Sequence, residues 1–144
     1  MSWHDWHHSE LTVQRLYDIL RLRSEIFVVE QNCVYRDIDD QDLTGTTRHL
    51  CWYDGSVLGA YSRIFESNGD VRIGRVVVDK KFRGGMGAKL LEESLKVVHR
   101  HFPEKRVVLS AQEHLQGFYG KFGFVAEGEP YDEDGIMHIE MILQ

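Results

Sequence analysis

Val76-Val77-Val78-Asp79-Lys80-Lys81-Phe82-Arg83-Gly84-Gly85-Met86-Gly87-Ala88-Lys89-Leu90-Leu91 is the stretch that decides how this chain is read. Three consecutive valines predict a strand buried on both faces. Downstream, Leu91, Ser94, Leu95, Val98 and Phe102 fall on one face of a helix that Pro103 stops. Between strand and helix lies a turn with three glycines. A helix N-terminus offers unpaired N–H groups and partial positive charge, and glycines let the backbone adopt positive φ and approach a ligand closely. The natural occupant is a phosphate or pyrophosphate, to which Arg83 would add a charge-assisted contact. Taken alone, such a turn serves equally as a mere tight turn. It is not a Walker loop, because Gly87 is followed by Ala88 and Lys89. It is not a dinucleotide fingerprint either, because no third glycine follows Gly85-Met86-Gly87.

Outward from this stretch the chain reads as α+β. Trp3 to His7 suits a short first strand. Thr12 is a helix N-cap by type, and Val13, Leu16, Tyr17, Leu20, Ser24, Phe27 and Val28 follow at helical spacing, predicting a helix to about Val29. Arg36 to Gly45 is an acidic loop. Strands at His49–Tyr53, Val57–Phe65 and Arg72–Asp79 are separated by the turn signals Asp54-Gly55 and Asn68-Gly69. After the helix, Arg106–Ser110 predicts a strand, His114–Phe122 a short helix, and Phe124 onward and Met137–Leu143 two more strands. The strand–turn–helix–strand section implies one parallel pair with a right-handed crossover in an otherwise antiparallel sheet.

The chain has 144 residues, 42% of them hydrophobic, which suits a single domain, 1–144, with a real core. A net charge of -6 argues against nucleic acid as a partner. Two isolated cysteines, Cys33 and Cys51, fit a reducing compartment. The polar start MSWHDWHHSE shows no leader pattern, and no apolar run is long enough to span a bilayer; the expectation is a cytoplasmic protein with no membrane partner. His4, His7 and His8 lack the spacing of a known metal site, and no metal is expected.

Val78-x-x-x-x-Arg83-Gly84 followed by Gly-x-Gly and a helix resembles the acyl-CoA-binding motif of the GCN5-related N-acetyltransferase (GNAT) family. About thirty residues on, Phe118-Tyr119-Gly120-Lys121-Phe122-Gly123-Phe124 is similar to the family's second motif. Phe27-Val28-Val29-Glu30-Gln31-Asn32-Cys33 and Asp132-Glu133-Asp134-Gly135-Ile136-Met137-His138 look like its ElaA subgroup. The resemblance covers essentially the whole chain. It departs from the family pattern in two places. The order Arg83-Gly84-Gly85-Met86-Gly87 is one residue tighter than usual, or puts Met86 in the first glycine position. The strand before it carries Arg72 and Arg75, not the glutamate that serves many members as base.

The resemblance implies a single GNAT-type domain whose sheet splays at the coenzyme. It also implies transfer of an acetyl group from acetyl-CoA to an amine of a small molecule or peptide, by direct attack without a covalent enzyme intermediate. It implies coenzyme contacts from the backbone of Val76 and Val78, from Arg83, Gly84, Gly85, Met86, Gly87 and Ala88 as a segment, and from Phe118 and Tyr119. Tyr119 would act as general acid toward the leaving thiolate. Glu30, His114 and His138 are the candidates for general base, and Glu30 also borders the acceptor side. Arg75 would either orient a substrate carboxylate or pair with the acidic loop near Asp39. Acidic residues at 37 to 42 and 129 to 134 hint at a cationic acceptor. Dimers are common in the family, which leaves room for a homodimer. The competing functions are an acyl-CoA-binding module without catalysis and acyl transfer to a non-amine acceptor.

Overall fold

The computed structural model describes residues 1–144. Seven strands form one sheet in the order β1-β2-β3-β4-β5-β7-β6. They are β1 Ser2–His7, β2 Arg48–Asp54, β3 Val57–Ser67, β4 Asp70–Val78, β5 Val107–Gln112, β6 Phe124–Glu133 and β7 Ile136–Leu143. Every neighbouring pair is antiparallel except β4–β5, the parallel pair expected from the crossover. The helices are α1 Val13–Arg23, α2 Met86–His101 and α3 Gln116–Gly120. Thr12 caps α1, its hydroxyl accepting from the Arg15 amide at 3.1 Å.

The two faces of the sheet carry separate cores. On one face α2 and α3 cover Leu50, Ile64, Val71, Ile73, Leu109 and Met141. On the other, Ile19, Leu22 and Ile26 pack on Cys51, Tyr61 and Val77. The valine run therefore serves both cores, with Val77 facing one and Val76 and Val78 the other. β4 and β5 pair only at Val71–Val107 and Arg72–Val108, and beyond Arg72 they part. This opening is the splay that the family resemblance implied.

The first helix differs from its expected form. Instead of continuing as an α-helix to Val29, the chain widens into a π-helical segment, Ser24–Glu30, with Gln31 N–H donating to the Ile26 carbonyl at 3.0 Å. Such segments are short and cluster at functional sites. Here the wider turn keeps Ile26 in the core while Phe27 and Glu30 border a cleft.

The acidic loop is not simply solvated surface. Asp37 and Asp42 are buried against Arg23, whose side chain is 0% exposed. Arg23 Nε donates to Asp37 Oδ2 at 2.9 Å and Nη1 to Asp42 Oδ1 at 2.6 Å. Arg63 bridges Asp39 and Asp42. His49 is also buried. Its Nε2 meets the Asp42 carbonyl at 2.8 Å, and a carbonyl can only accept, so Nδ1 accepts from the Tyr61 hydroxyl. Burial is the main cause that holds His49 down at about 4, against the opposing pull of Asp42. Burial also pushes the Asp39 carboxyl up, but Arg63 and Arg75 outweigh it and hold that group at about 2.

Two outcomes follow for stability. Arg23→Met leaves two buried carboxylates short of a cation and should cost roughly 3–5 kcal/mol in urea unfolding at pH 7; a loss near zero would contradict the role given to the lattice. Unfolded histidine takes up a proton below about 6.5, whereas His49 in the fold does so only near 4. Stability from His49 is therefore full above about pH 6.5 and declines as pH falls toward 4, by up to about 1.4 kcal/mol per unit. Asp39 adds a loss only below its unfolded value of about 3.9. Urea midpoints between pH 7 and 4.5 should fall in the wild type and flatten in His49→Gln.

Candidate active site

The gap between β4 and β5 opens into a cleft of about 870 Å³. Its floor is β4 from Arg72 to Val78 together with Leu109, Ser110 and Gln112 of β5. One wall is the π-helical segment and the loop after it. The opposite wall is the β6–β7 hairpin, and the two meet where Cys33 Sγ approaches the Asp134 carbonyl at 3.2 Å.

β4 is distorted at the cleft. Tyr61 of β3 faces Val77 and Arg63 faces Gly74, so β4 carries an extra residue, and Arg75 and Val76 have no ladder partners. Arg75 has φ 50, a left-handed conformation that side chains disfavour. This bulge reverses the alternation: Val71 and Ile73 face the α2 core before it, Val76 and Val78 after it. At Arg75 and Val76, β4 thus has no ladder partner on either side, just beyond the place where β5 diverges.

At the end of β4 the chain turns through Lys80–Phe82, with the Asp79 carboxylate accepting from the Lys81 amide at 2.9 Å. Phe82 packs edge-on against Trp52, and a Cβ at Gly59 would sit 2.7 Å from both rings, so Gly59 is what admits this anchor. Gly84 and Gly85 follow at φ 102 and φ 118. Gly85 is the N-cap of α2, with no side-chain cap. None of the amides from Gly84 to Ala88 donates to an acceptor within the fold. Five free N–H groups at a helix N-terminus fit a pyrophosphate. Phe118 lies over this first turn, 3.7 Å from where a Gly87 Cβ would be.

Tyr119, on α3, is 7% exposed and lines the cleft. Its ring packs edge-on against Phe118 and Phe124, while its hydroxyl has no hydrogen-bond partner in the fold and is not sealed from the cleft. Burial pushes the phenol up to about 12, so it is neutral at physiological pH.

The three base candidates all border the cleft in different states. Glu30 is paired to Arg83 at 2.7 Å, which also occupies the cation expected to meet pyrophosphate. His114 is exposed on the turn between β5 and α3. His138 is largely buried; its Nδ1 donates to the Ile136 carbonyl at 2.7 Å, and its Nε2 lies 3.3 Å from the Glu133 carboxylate. Arg75 is engaged by Asp37 and Asp39, the second of the two roles expected for it. Arg23, Arg63 and Arg75 balance Asp37, Asp39 and Asp42, so the acidic loop offers little net charge to a cationic acceptor. Asp40, the loop's one acid without an ion-pair partner, does not line the cleft, whereas Glu133 and Asp134 of the hairpin do.

Several contributors carried no sequence signal. Gly59 looks like any strand glycine. Ser110 and Tyr131, hydrogen-bonded across the cleft wall, stand on strands read only for their periodicity. The lattice around Arg23 joins residues that the sequence presented only as a helix residue and an acidic loop.

Residues 21–144 match the family model described as an acetyltransferase (GNAT) domain. Protein ElaA of Escherichia coli (strain K12) is 49% identical over 98% of this chain and 95% of its own length. The crystal structure of Escherichia coli ElaA superposes with a TM-score of 0.96 at 48% identity, covering 100% of both chains. An acyl-CoA N-acyltransferase from Pseudomonas aeruginosa superposes at 0.97 with 44% identity, again over 100% of both chains. Fold, opened sheet and full-length similarity agree: this chain belongs to the GNAT acetyltransferase family and has its acyltransferase fold.

Proposed function

We propose that the protein transfers an acetyl group from acetyl-CoA to the nitrogen of an amine, by direct attack. The observation that carries this reading is the unpartnered, neutral Tyr119 hydroxyl opening into a cleft along which β4 has lost its β5 partner. The coenzyme supplies an activated acyl thioester. The chain's residues do the rest. The backbone of Val76 and Val78 would pair with the pantetheine arm as an added strand would. The amides Gly84 to Ala88 would hold the pyrophosphate, with Arg83 leaving Glu30 to join them. An N–H on β4 between Arg75 and Val78 would face the oxygen on which negative charge develops.

The proton balance is simple. The amine nitrogen bonds to the acyl carbon, the carbon–sulfur bond breaks, and Tyr119 gives its proton to the departing sulfur, regaining one from solvent. His138 is the best-placed base, since the Ile136 carbonyl holds Nδ1 and leaves Nε2 as the nitrogen that would take the proton, with Glu133 beside it to stabilise the imidazolium that forms. Glu30 and His114 could serve only after, respectively, leaving Arg83 or being covered by the acceptor. One observation favours a coenzyme-binding module without turnover: β4 presents Arg72 and Arg75 and no carboxylate. A panel of amines assayed for thiol release decides between the two readings. Release with any amine supports the enzyme, and coenzyme binding without release across the panel supports the module.

Two substitutions test the assigned roles. Tyr119→Phe should lower kcat by about a hundredfold or more with little change in coenzyme affinity; an unchanged kcat would remove Tyr119 from the reaction. Gly85→Asp puts a side chain at φ 118 and a negative charge at the helix terminus. It should weaken acetyl-CoA binding by about tenfold or more in calorimetric titration; unchanged affinity would show that the segment does not hold the pyrophosphate.

A further inference from the structure

We propose that Asp37 is a positioning residue: by gripping Arg75 it holds the β4 bulge that aims the backbone amide of Val76 at the acyl carbonyl. The inference rests on the acyl-transfer reading above, but its physical core, a side-chain clamp on a left-handed residue, can be tested without turnover.

β4 carries a conformational conflict at Arg75. Arg75 sits at φ 50, where a residue with a Cβ is strained and glycine is not. Neither ladder holds it there, since β3 skips from Gly74 to Val77 and β5 has already parted. Something else must fix the conformation, and the only groups gripping Arg75 are in the loop after α1. Its Nε donates to Asp37 Oδ1 at 3.0 Å, and its Nη2 donates to the Asp37 carbonyl at 3.1 Å and to Asp39 Oδ2 at 3.1 Å. The guanidinium also lies over the Tyr35 ring, 5.6 Å from its centre.

Asp37 is built to act as a fixed point. Its Oδ2 is taken by Arg23 Nε, and its Oδ1 accepts from the Tyr35 hydroxyl at 2.6 Å as well as from Arg75. Its carbonyl accepts from Arg23 Nη2 at 2.7 Å in addition to Arg75. Arg23, fully buried between α1 and the loop, cannot shift without exposing two carboxylates. The chain of contacts runs from the α1 core through Arg23 and Asp37 to Arg75, and so to the direction of the next amide. Arg75 on this account works through its backbone, and its side chain is the handle.

This predicts an unusual order of variants. Arg75→Ala keeps a Cβ but loses the handle, so β4 should relax and kcat fall by about a hundredfold, the cost of a misplaced donor. Arg75→Gly also loses the handle, yet glycine adopts the left-handed conformation unaided, so it should regain at least about tenfold in kcat over Arg75→Ala. In Arg75→Gly, adding Asp37→Ala should have little further effect, whereas Asp37→Ala in the wild-type background, which removes the acceptor of Arg75 Nε, should lower kcat in the same direction as Arg75→Ala. The backbone is read directly by NMR: the coupling between the amide and α protons and the α-carbon shift of residue 75 should report positive φ in the wild type and its loss in Asp37→Ala. Equal kcat for Arg75→Ala and Arg75→Gly, or a loss confined to the KM of the acceptor, would overturn the proposal in favour of direct substrate contact. An unaltered φ at Arg75 in folded Asp37→Ala would overturn it independently of activity. An absence of turnover in the wild type with every amine would instead strike at the acyl-transfer reading and leave the NMR result to decide the clamp.

Discussion

The parting of β4 from β5 is the constraint on which the molecule depends. Two parallel strands pair at Val71–Val107 and Arg72–Val108 and then separate. Backbone N–H and C=O groups inside a sheet must find partners. A gap in mid-sheet therefore either admits water or admits a ligand that presents amides of its own. A pantetheine arm has such amides, and the cleft is bordered by Val78 and Arg83, the residues on either side of the turn that precedes the free amides of Gly84 to Ala88. The remaining features can be understood as ways of keeping that gap open. α2 and α3 hold the sheet together from one face. On the other face the π-helical segment and the β6–β7 hairpin flank the opening without closing it.

Keeping β4 in place across the gap requires support that neighbouring strands do not give. The buried lattice of Arg23, Arg63, Asp37, Asp39 and Asp42 supplies it. Ion pairs this deep are weak net contributors to stability, since desolvation offsets much of their attraction. Their value here is geometric: they fix the loop after α1 against β4 in one arrangement. The same lattice accounts for the acid sensitivity expected of the fold, because His49 is held neutral within it.

Much of this was legible in the sequence, for identifiable reasons. Strand–turn–helix order around Val76–Leu91 follows from periodicity and from glycines placed where only positive φ would serve. Tyr119 and Phe124 follow from a motif that stands at a fixed distance from that turn. What escaped the sequence was set by long-range pairing. That Arg75 pairs with the acidic loop was one of its two expected readings, but Asp37 as its main partner, 38 residues away, and the burial of Asp37 and Asp42 around Arg23 had no local pattern to announce them. The bulge was hidden because Arg75 has none of the residue chemistry that announces a positive φ. The π-helical widening was hidden because its spacing still satisfies helical periodicity. Acidic residues at 37 to 42 suggested an exposed charged loop, when their partners were three arginines from three different elements.

A crystal structure with acetyl-CoA bound would decide the matter. The pantetheine arm should lie between β4 and β5, its amides paired with Val76 and Val78, the pyrophosphate on Gly84 to Ala88, and the thioester within reach of the Tyr119 hydroxyl. A coenzyme bound elsewhere, or β4 and β5 closed on each other beyond Arg72, would contradict this arrangement.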